Sequence, residues 1–187
     1  MNTPIFDFVT AYKASAPVRL HMPGHKGRAY LGVEDRDLTE IHGADSLYET
    51  NGIIAESEAN ASKLFGCPTF YSTEGSSQCI RAMLFLAVQH AIREGRSPKI
   101  LAARNVHKTF LSAAALLDLD VCWLCDDAPS YLSANPSPAV IETAIEREAP
   151  SALYLTSPDY LGNVIELAPI AKVCHERGVL LLVDNAH

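Results

Sequence analysis

Apolar positions follow two different rhythms along the chain. Ile5, Phe8, Val9 and Tyr12 recur at helical spacing, which predicts a short amphipathic helix within residues 4–15, ending before Pro17. From Arg19 to Asn51 no period is sustained. Glycines are frequent there, with the run Met22-Pro23-Gly24-His25-Lys26-Gly27, and the stretch reads as an ordered, loop-rich segment. Residues 1–51 are therefore expected to form an N-terminal arm with a loop-rich segment, and residues 52–187 a domain of a different kind.

Within 52–187 the pattern alternates. Ile53–Phe65 reads as a helix closed by Gly66. Short, continuously apolar runs follow at Thr69–Ser72, Lys99–Ala103, Val121–Cys125, Ala152–Thr156 and Val179–Val183. Helical stretches separate them at Ser77–Glu94, His107–Leu117, Val140–Glu148 and Leu167–Arg177, with a Pro/Ser-rich loop near Pro129–Pro138. Apolar strands of this length, alternating with helices, predict an α/β fold: a mostly parallel sheet with helices on both faces. No repeat or low-complexity linker interrupts it.

Composition narrows the function classes. With 48% hydrophobic and 20% charged residues among 187, the chain can bury a substantial core. The net charge of −7, without a basic cluster, argues against nucleic acid as a partner. No apolar run approaches the roughly 20 residues of a membrane span, and the start lacks the pattern of a signal peptide, so a cytoplasmic protein is expected. Five cysteines fit free thiols in a reducing compartment. Cys122 and Cys125 lie three apart on an expected strand, hence on opposite faces, and Pro23 and Gly24 break any helical face joining His21 to His25. No metal site is expected.

In an open parallel sheet, ligands bind beyond the carboxyl ends of the strands. There the sequence places Thr73-Glu74-Gly75-Ser76-Ser77 before a helix, where Gly75 permits close backbone approach and Ser76, Ser77 and free amides suit an anion. The plainer reading makes Ser76 a helix N-cap. His107 follows the Lys99–Ala103 run and can stack on a flat heteroaromatic ring, though it can equally cap or pack the next helix. Thr156-Ser157-Pro158-Asp159-Tyr160 reads as a turn. Asp184, at the end of a buried strand, needs a cationic or hydrogen-bonding partner. One group accounts for all three clusters: pyridoxal phosphate, with its phosphate on Gly75–Ser77, its ring under His107 and its ring nitrogen facing Asp184.

The motifs Met22-Pro-Gly-His-Lys-Gly27, Asp37-Leu-Thr-Glu-Ile41, Gly52-Ile-Ile, Arg104-Asn-Val-His-Lys108, Thr156-Ser-Pro158 and Val183-Asp-Asn-Ala-His187, in this order, resemble the major domain of the ornithine/lysine/arginine decarboxylases. That family has the aspartate-aminotransferase fold type. The resemblance implies that Ser76 and Ser77 hold the phosphate, His107 stacks on the ring and Asp184 pairs with the ring nitrogen. It also implies that Ala186 packs on the opposite ring face and that His187 lies near the cofactor's oxygen edge. Two positions depart from the family's usual pattern: Ser77 where it has threonine, and Asn185 where it has glutamate.

His107-Lys108-Thr109 is also similar to the family's Schiff-base motif, but it precedes the Asp184 strand, whereas that motif follows it. The six lysines thus include no clear cofactor-bearing one, and the chain, stopping at His187 on a core strand, is expected to be a fragment lacking it and inactive alone. The resemblance implies an intact homodimeric enzyme that decarboxylates arginine, lysine or ornithine for polyamine synthesis. An aminotransferase or lyase of the same fold, and a non-catalytic cofactor-binding or dimerising remnant, are the competing readings.

Overall fold

The computed structural model describes residues 2–125 and 130–186. It divides into two compact units, residues 1–71 and 72–187.

In the first unit, helix α1 (Pro4–Ala14) packs on helix α2 (Ile53–Phe65). Pro4 occupies the first turn of α1, where its missing N–H costs nothing, and Gly66 ends α2 at φ +70°, a left-handed conformation that favours glycine. Between the helices, residues 19–51 contain one short 3₁₀ turn, Glu34–Arg36, and are otherwise irregular. Two carboxylates organise them. Glu34 accepts from the backbone N–H groups of Leu31, Gly32 and Val33. Asp45 accepts from those of Ser46, Asn51, Gly52 and Ile54, tying the loop to the start of α2.

The expected strand at Thr69–Ser72 is absent. Its backbone donors are taken by side chains of α2: Thr69 N–H donates to Ser62 Oγ (2.9 Å) and Tyr71 N–H to Glu58 Oε1 (2.8 Å). An apolar run becomes a strand only where a neighbouring strand receives its donors.

The second unit contains α3 (Gly75–Arg93), β1 (Lys99–Ala103), α4 (Lys108–Leu116), β2 (Asp120–Leu124), α5 (Pro138–Glu148), β3 (Ala152–Thr156), α6 (Leu167–Glu176) and β4 (Leu180–Asp184). All strand pairs are parallel, in the order β2-β1-β3-β4. Both faces are covered. Leu101, Ala103, Leu153 and Leu155 pack with Ile141, Ile145 and Ile170 of α5 and α6. Ile100, Ala102, Ala152 and Tyr154 pack with Ile80, Leu84, Phe110 and Ala113 of α3 and α4. Adjacent residues of β1 and β3 serve opposite faces, which is why these strands read as continuous apolar runs.

Helix α5 begins at Pro138 rather than Val140, because Ser137 is its N-cap, accepting from Val140 N–H (3.4 Å), and proline suits the first helical position. The connection after β1 leads outward to β2, and the next returns past β1 to β3 on its other side. The order therefore reverses between β1 and β3, and in open α/β sheets ligands bind beyond the carboxyl ends of the strands at such a reversal.

Candidate functional site

Of the residues expected to bind a ligand, Gly75, Ser76, Ser77, His107, Asp184 and Ala186 lie at that edge of the second unit. Helix α3 starts at Gly75 with no side-chain cap, leaving the first-turn amides available to an anion. The N-cap position belongs to Glu74, so Ser76 does not cap the helix; it sits exposed in the first turn, with Ser77 half-buried after it. Gly75 has φ +67°, and nothing lies within 4 Å of where its Cβ would be. Its backbone conformation calls for glycine, and the space beside it is open.

His107 is the N-cap of α4. Its Nδ1 accepts from Thr109 N–H (3.2 Å) and also contacts Thr109 Oγ1 (3.0 Å), so in the neutral ring the proton lies on Nε2. Thr109 Oγ1 in turn contacts Ser77 Oγ (3.1 Å). A chain of hydrogen bonds through buried Thr109 thus joins the start of α3 to the ring of His107. The capping role and the stacking role attach to different parts of that ring, its edge and its face.

Asp184 ends β4 and is 5% exposed. Its partners are Tyr154, whose hydroxyl donates to Oδ2 (3.1 Å), and the N–H of Ala186, which donates to Oδ1 (3.3 Å). Burial and the adjacent carboxylate push the Tyr154 hydroxyl far above its ordinary range, so it remains a neutral donor. Each Asp184 oxygen accepts one hydrogen bond and keeps capacity for another. A ring N–H⁺ fits that vacant capacity, and a phosphate fits the uncapped start of α3; the residues present suit a phosphorylated pyridinium. Ala186 follows Asp184 closely, whereas His187 lies outside the described residues.

At the ends of β1 and β3, two buried polar side chains have no hydrogen-bonding partner among the described residues: Asn105, just after β1, and Thr156, the last residue of β3. The segment after Thr156 is a closed turn. Ser157 Oγ accepts from Ile165 N–H, and the Asp159 carboxylate accepts from the backbone of Leu161 and Asn163 and from Asn163 Nδ2. Burial raises the Asp159 pKa, but the hydrogen bonds from Ser133, Asn163 and Leu161 outweigh it and bring the value to about 2.

Elsewhere, His21 contacts Tyr12 and His25 contacts Asp37, while Cys122 donates to Glu148. Cys67, Cys79, Cys122, Cys125 and Cys174 are free thiols. Among the described residues no group of His, Cys, Asp or Glu could hold a metal, and no helix is long and apolar enough to cross a membrane.

Sequence reasoning assigns no role to Tyr154 and Thr109, and reads Thr156 only as the start of a turn and part of a family motif. Tyr154 reads as one more apolar strand residue, and only the pairing of β3 with β4 brings its hydroxyl to Asp184. Thr109 carries a weak signal, since it lies two residues beyond a possible N-cap histidine.

The family description "Orn/Lys/Arg decarboxylase, major domain" matches residues 3–187. The chain belongs to this family. Among curated relatives of this decarboxylase-family chain, arginine decarboxylase of Halalkalibacterium halodurans is 31% identical over 200 residues, spanning 100% of the chain and 40% of the relative. Arginine decarboxylase of Bacillus subtilis is 28% identical over 201 residues, again 40% of its length. The chain thus spans about two-fifths of these relatives. The solved structure of E. coli constitutive lysine decarboxylase is similar with a TM-score of 0.61 at 17% identity, covering 85% of this chain and 25% of that one. At that identity the likeness speaks for the fold, which is that of the type I pyridoxal-phosphate enzymes.

Proposed function

We propose that the protein decarboxylates a basic amino acid, arginine, lysine or ornithine, with pyridoxal phosphate as cofactor. The observation that carries this reading is Asp184: a buried carboxylate at a strand end, with one accepting position free on each oxygen, in the same unit as an uncapped helix start. Family membership and the two relatives named arginine decarboxylase support the reaction class.

In this reading the first-turn amides of α3 with Ser76 and Ser77 hold the phosphate, and the face of His107 lies on the ring. Asp184 accepts the ring N–H and keeps the proton there. Ala186 packs on the other ring face, and His187 serves the oxygen edge. The bound cofactor supplies an electron sink for the pair left on the substrate alpha carbon as CO2 departs. Tyr154 holds the Asp184 carboxylate in place from behind. The product is an amine or diamine that can feed polyamine synthesis, the working form is a homodimer, and the five free thiols accord with a cytoplasmic setting.

The test is to supply the full encoded protein with pyridoxal phosphate and each amino acid, and to measure CO2 release. Turnover with at least one of the three is expected, and its loss in Asp184→Asn with the fold intact. Formation of a 2-oxo acid without CO2 would make the protein an aminotransferase instead. Cofactor uptake without turnover would make it a non-catalytic cofactor-binding remnant, and failure to take up the cofactor a dimerising one.

A further inference from the structure

Thr109 is buried in the first turn of α4. Its hydroxyl lies between side chains of two different segments, 3.1 Å from Ser77 Oγ on α3 and 3.0 Å from Nδ1 of His107. The Thr109 backbone N–H donates to that same Nδ1, at 3.2 Å. The cap of α4 is made by this N–H, which any residue but proline supplies. Valine would fill the buried position with nearly the shape of threonine, so the hydroxyl has a use other than packing or capping.

Donor and acceptor capacity sets the order of the protons. Nδ1 of the neutral ring accepts, so the Thr109 O–H is directed at it; two lone pairs facing each other at 3.0 Å would repel. Thr109 Oγ1 in turn accepts from the Ser77 O–H. An anion at the start of α3 changes this order, because a phosphate oxygen accepts and the Ser77 proton is drawn to it. The Ser77 oxygen is then open to a donor on its other side. The Thr109 O–H can supply one by rotating from Nδ1 toward Ser77, with no heavy atom moving, and His107 keeps the backbone N–H alone.

We infer that Thr109 is a positioning residue that couples the phosphate end of the site to His107: its hydroxyl donates to His107 in the empty protein and to Ser77 when Ser77 holds a phosphate. This rests on the function proposed above, which gives Ser77 and His107 their ligand contacts. In the empty protein two donors fix the edge of the His107 ring. On loading, the hydroxyl backs Ser77 and strengthens its donation to the anion, as hydrogen bonds in a chain polarise one another, and the ring loses one tether as its face meets the cofactor.

The full encoded protein, stripped of cofactor, is compared with Thr109→Val and Thr109→Ser by titration with pyridoxal phosphate and with pyridoxal, read by absorbance and fluorescence quenching. Thr109→Val is expected to bind pyridoxal phosphate about three- to tenfold more weakly than the parent. It should bind pyridoxal, which brings no phosphate to Ser77, within about twofold of the parent, and Thr109→Ser should restore the phosphate affinity. Added to Ser77→Ala, Thr109→Val should cost no more than about twofold further, whereas independent roles would multiply the two losses. Inorganic phosphate supplies a reading that a packing role would not move: in the parent it should shift the ¹⁵N resonance of His107 Nδ1, and in Thr109→Val it should not. No shift in the parent, an equal shift in the valine variant, or multiplied losses in the double variant overturns the inference. Should Thr109→Val not fold, Thr109→Ala takes its place in each comparison. If the parent binds inorganic phosphate with the His107 shift but takes up no pyridoxal phosphate, the proposed function falls while the link through Thr109 stands.

Discussion

At the scale of single residues, His107 shows two roles that substitution can separate. The ring edge caps α4 through Nδ1, while the face is what the proposed function uses. Asparagine is a good N-cap without an aromatic face; phenylalanine has the face without the cap. His107→Asn is therefore expected to hold cofactor-free stability within about 0.5 kcal/mol of the parent but to lose cofactor affinity. His107→Phe should lose about 1 kcal/mol of stability, read by urea unfolding, and retain more of the affinity. Equal affinity loss in both would make the imidazole a hydrogen-bonding or acid/base group instead. Tyr154 offers a second residue-scale test. Tyr154→Phe removes the donor to Asp184 Oδ2 without altering the ring packed on Phe110, whose centroid lies 4.6 Å away. The expected cost is about 1.5–3 kcal/mol, the range for a hydrogen bond to a charged group, again by urea unfolding.

Among the elements, α2 depends on a residue seven positions before its N-cap Gly52. The Asp45 carboxylate takes the N–H groups of Gly52 and Ile54, both at 2.9 Å, in place of a side-chain cap. Burial would raise its pKa, but these backbone donors with those of Asn51 and Ser46 bring it from 3.8 to about 2. The sign follows from linkage. A carboxylate whose folded pKa is depressed contributes its stability in full above the unfolded value and loses it as pH falls through the folded one. Protection of the Gly52 and Ile54 amides from hydrogen exchange should therefore weaken between pH 4 and about 2 in the parent. In Asp45→Asn, which tolerates the left-handed φ of +66° but carries no charge, that protection should already be weak at pH 5 and show no such step. A parent-like step in the variant would assign the acid sensitivity to Glu34 or Asp159, the other strongly depressed carboxylates.

For the molecule as a whole, the reversal of strand order between β1 and β3 sets the ligand edge, and Asp184 and Thr156 both end strands there. The proposed homodimer belongs to this scale as well. Light scattering across a dilution series of the full encoded protein should give twice the monomer mass at the concentrations where decarboxylation is measured. A fully active monomer would remove the subunit-interface reading, which rests on fold-type resemblance.

Much of this was legible in the chain. Lys99–Ala103 and Ala152–Thr156 are strands at the expected residues, because short, mostly apolar runs between helices suit a strand buried on both faces. Ile53–Phe65 begins and ends as the helical period and Gly66 predict. The polar residues at strand ends were visible because they interrupt apolar runs. Pairing decided the rest. Thr69–Ser72 has the composition of a strand, but its donors go to Ser62 and Glu58, and composition carries no information about which acceptor is near. Tyr154 looks like an ordinary strand residue, and Thr156 like the start of a turn, until the β3–β4 register sets them beside Asp184. Local sequence determines which residues a strand shows to each face, since the period is two; the neighbour each residue meets is set by register, a property of two segments about 30 residues apart.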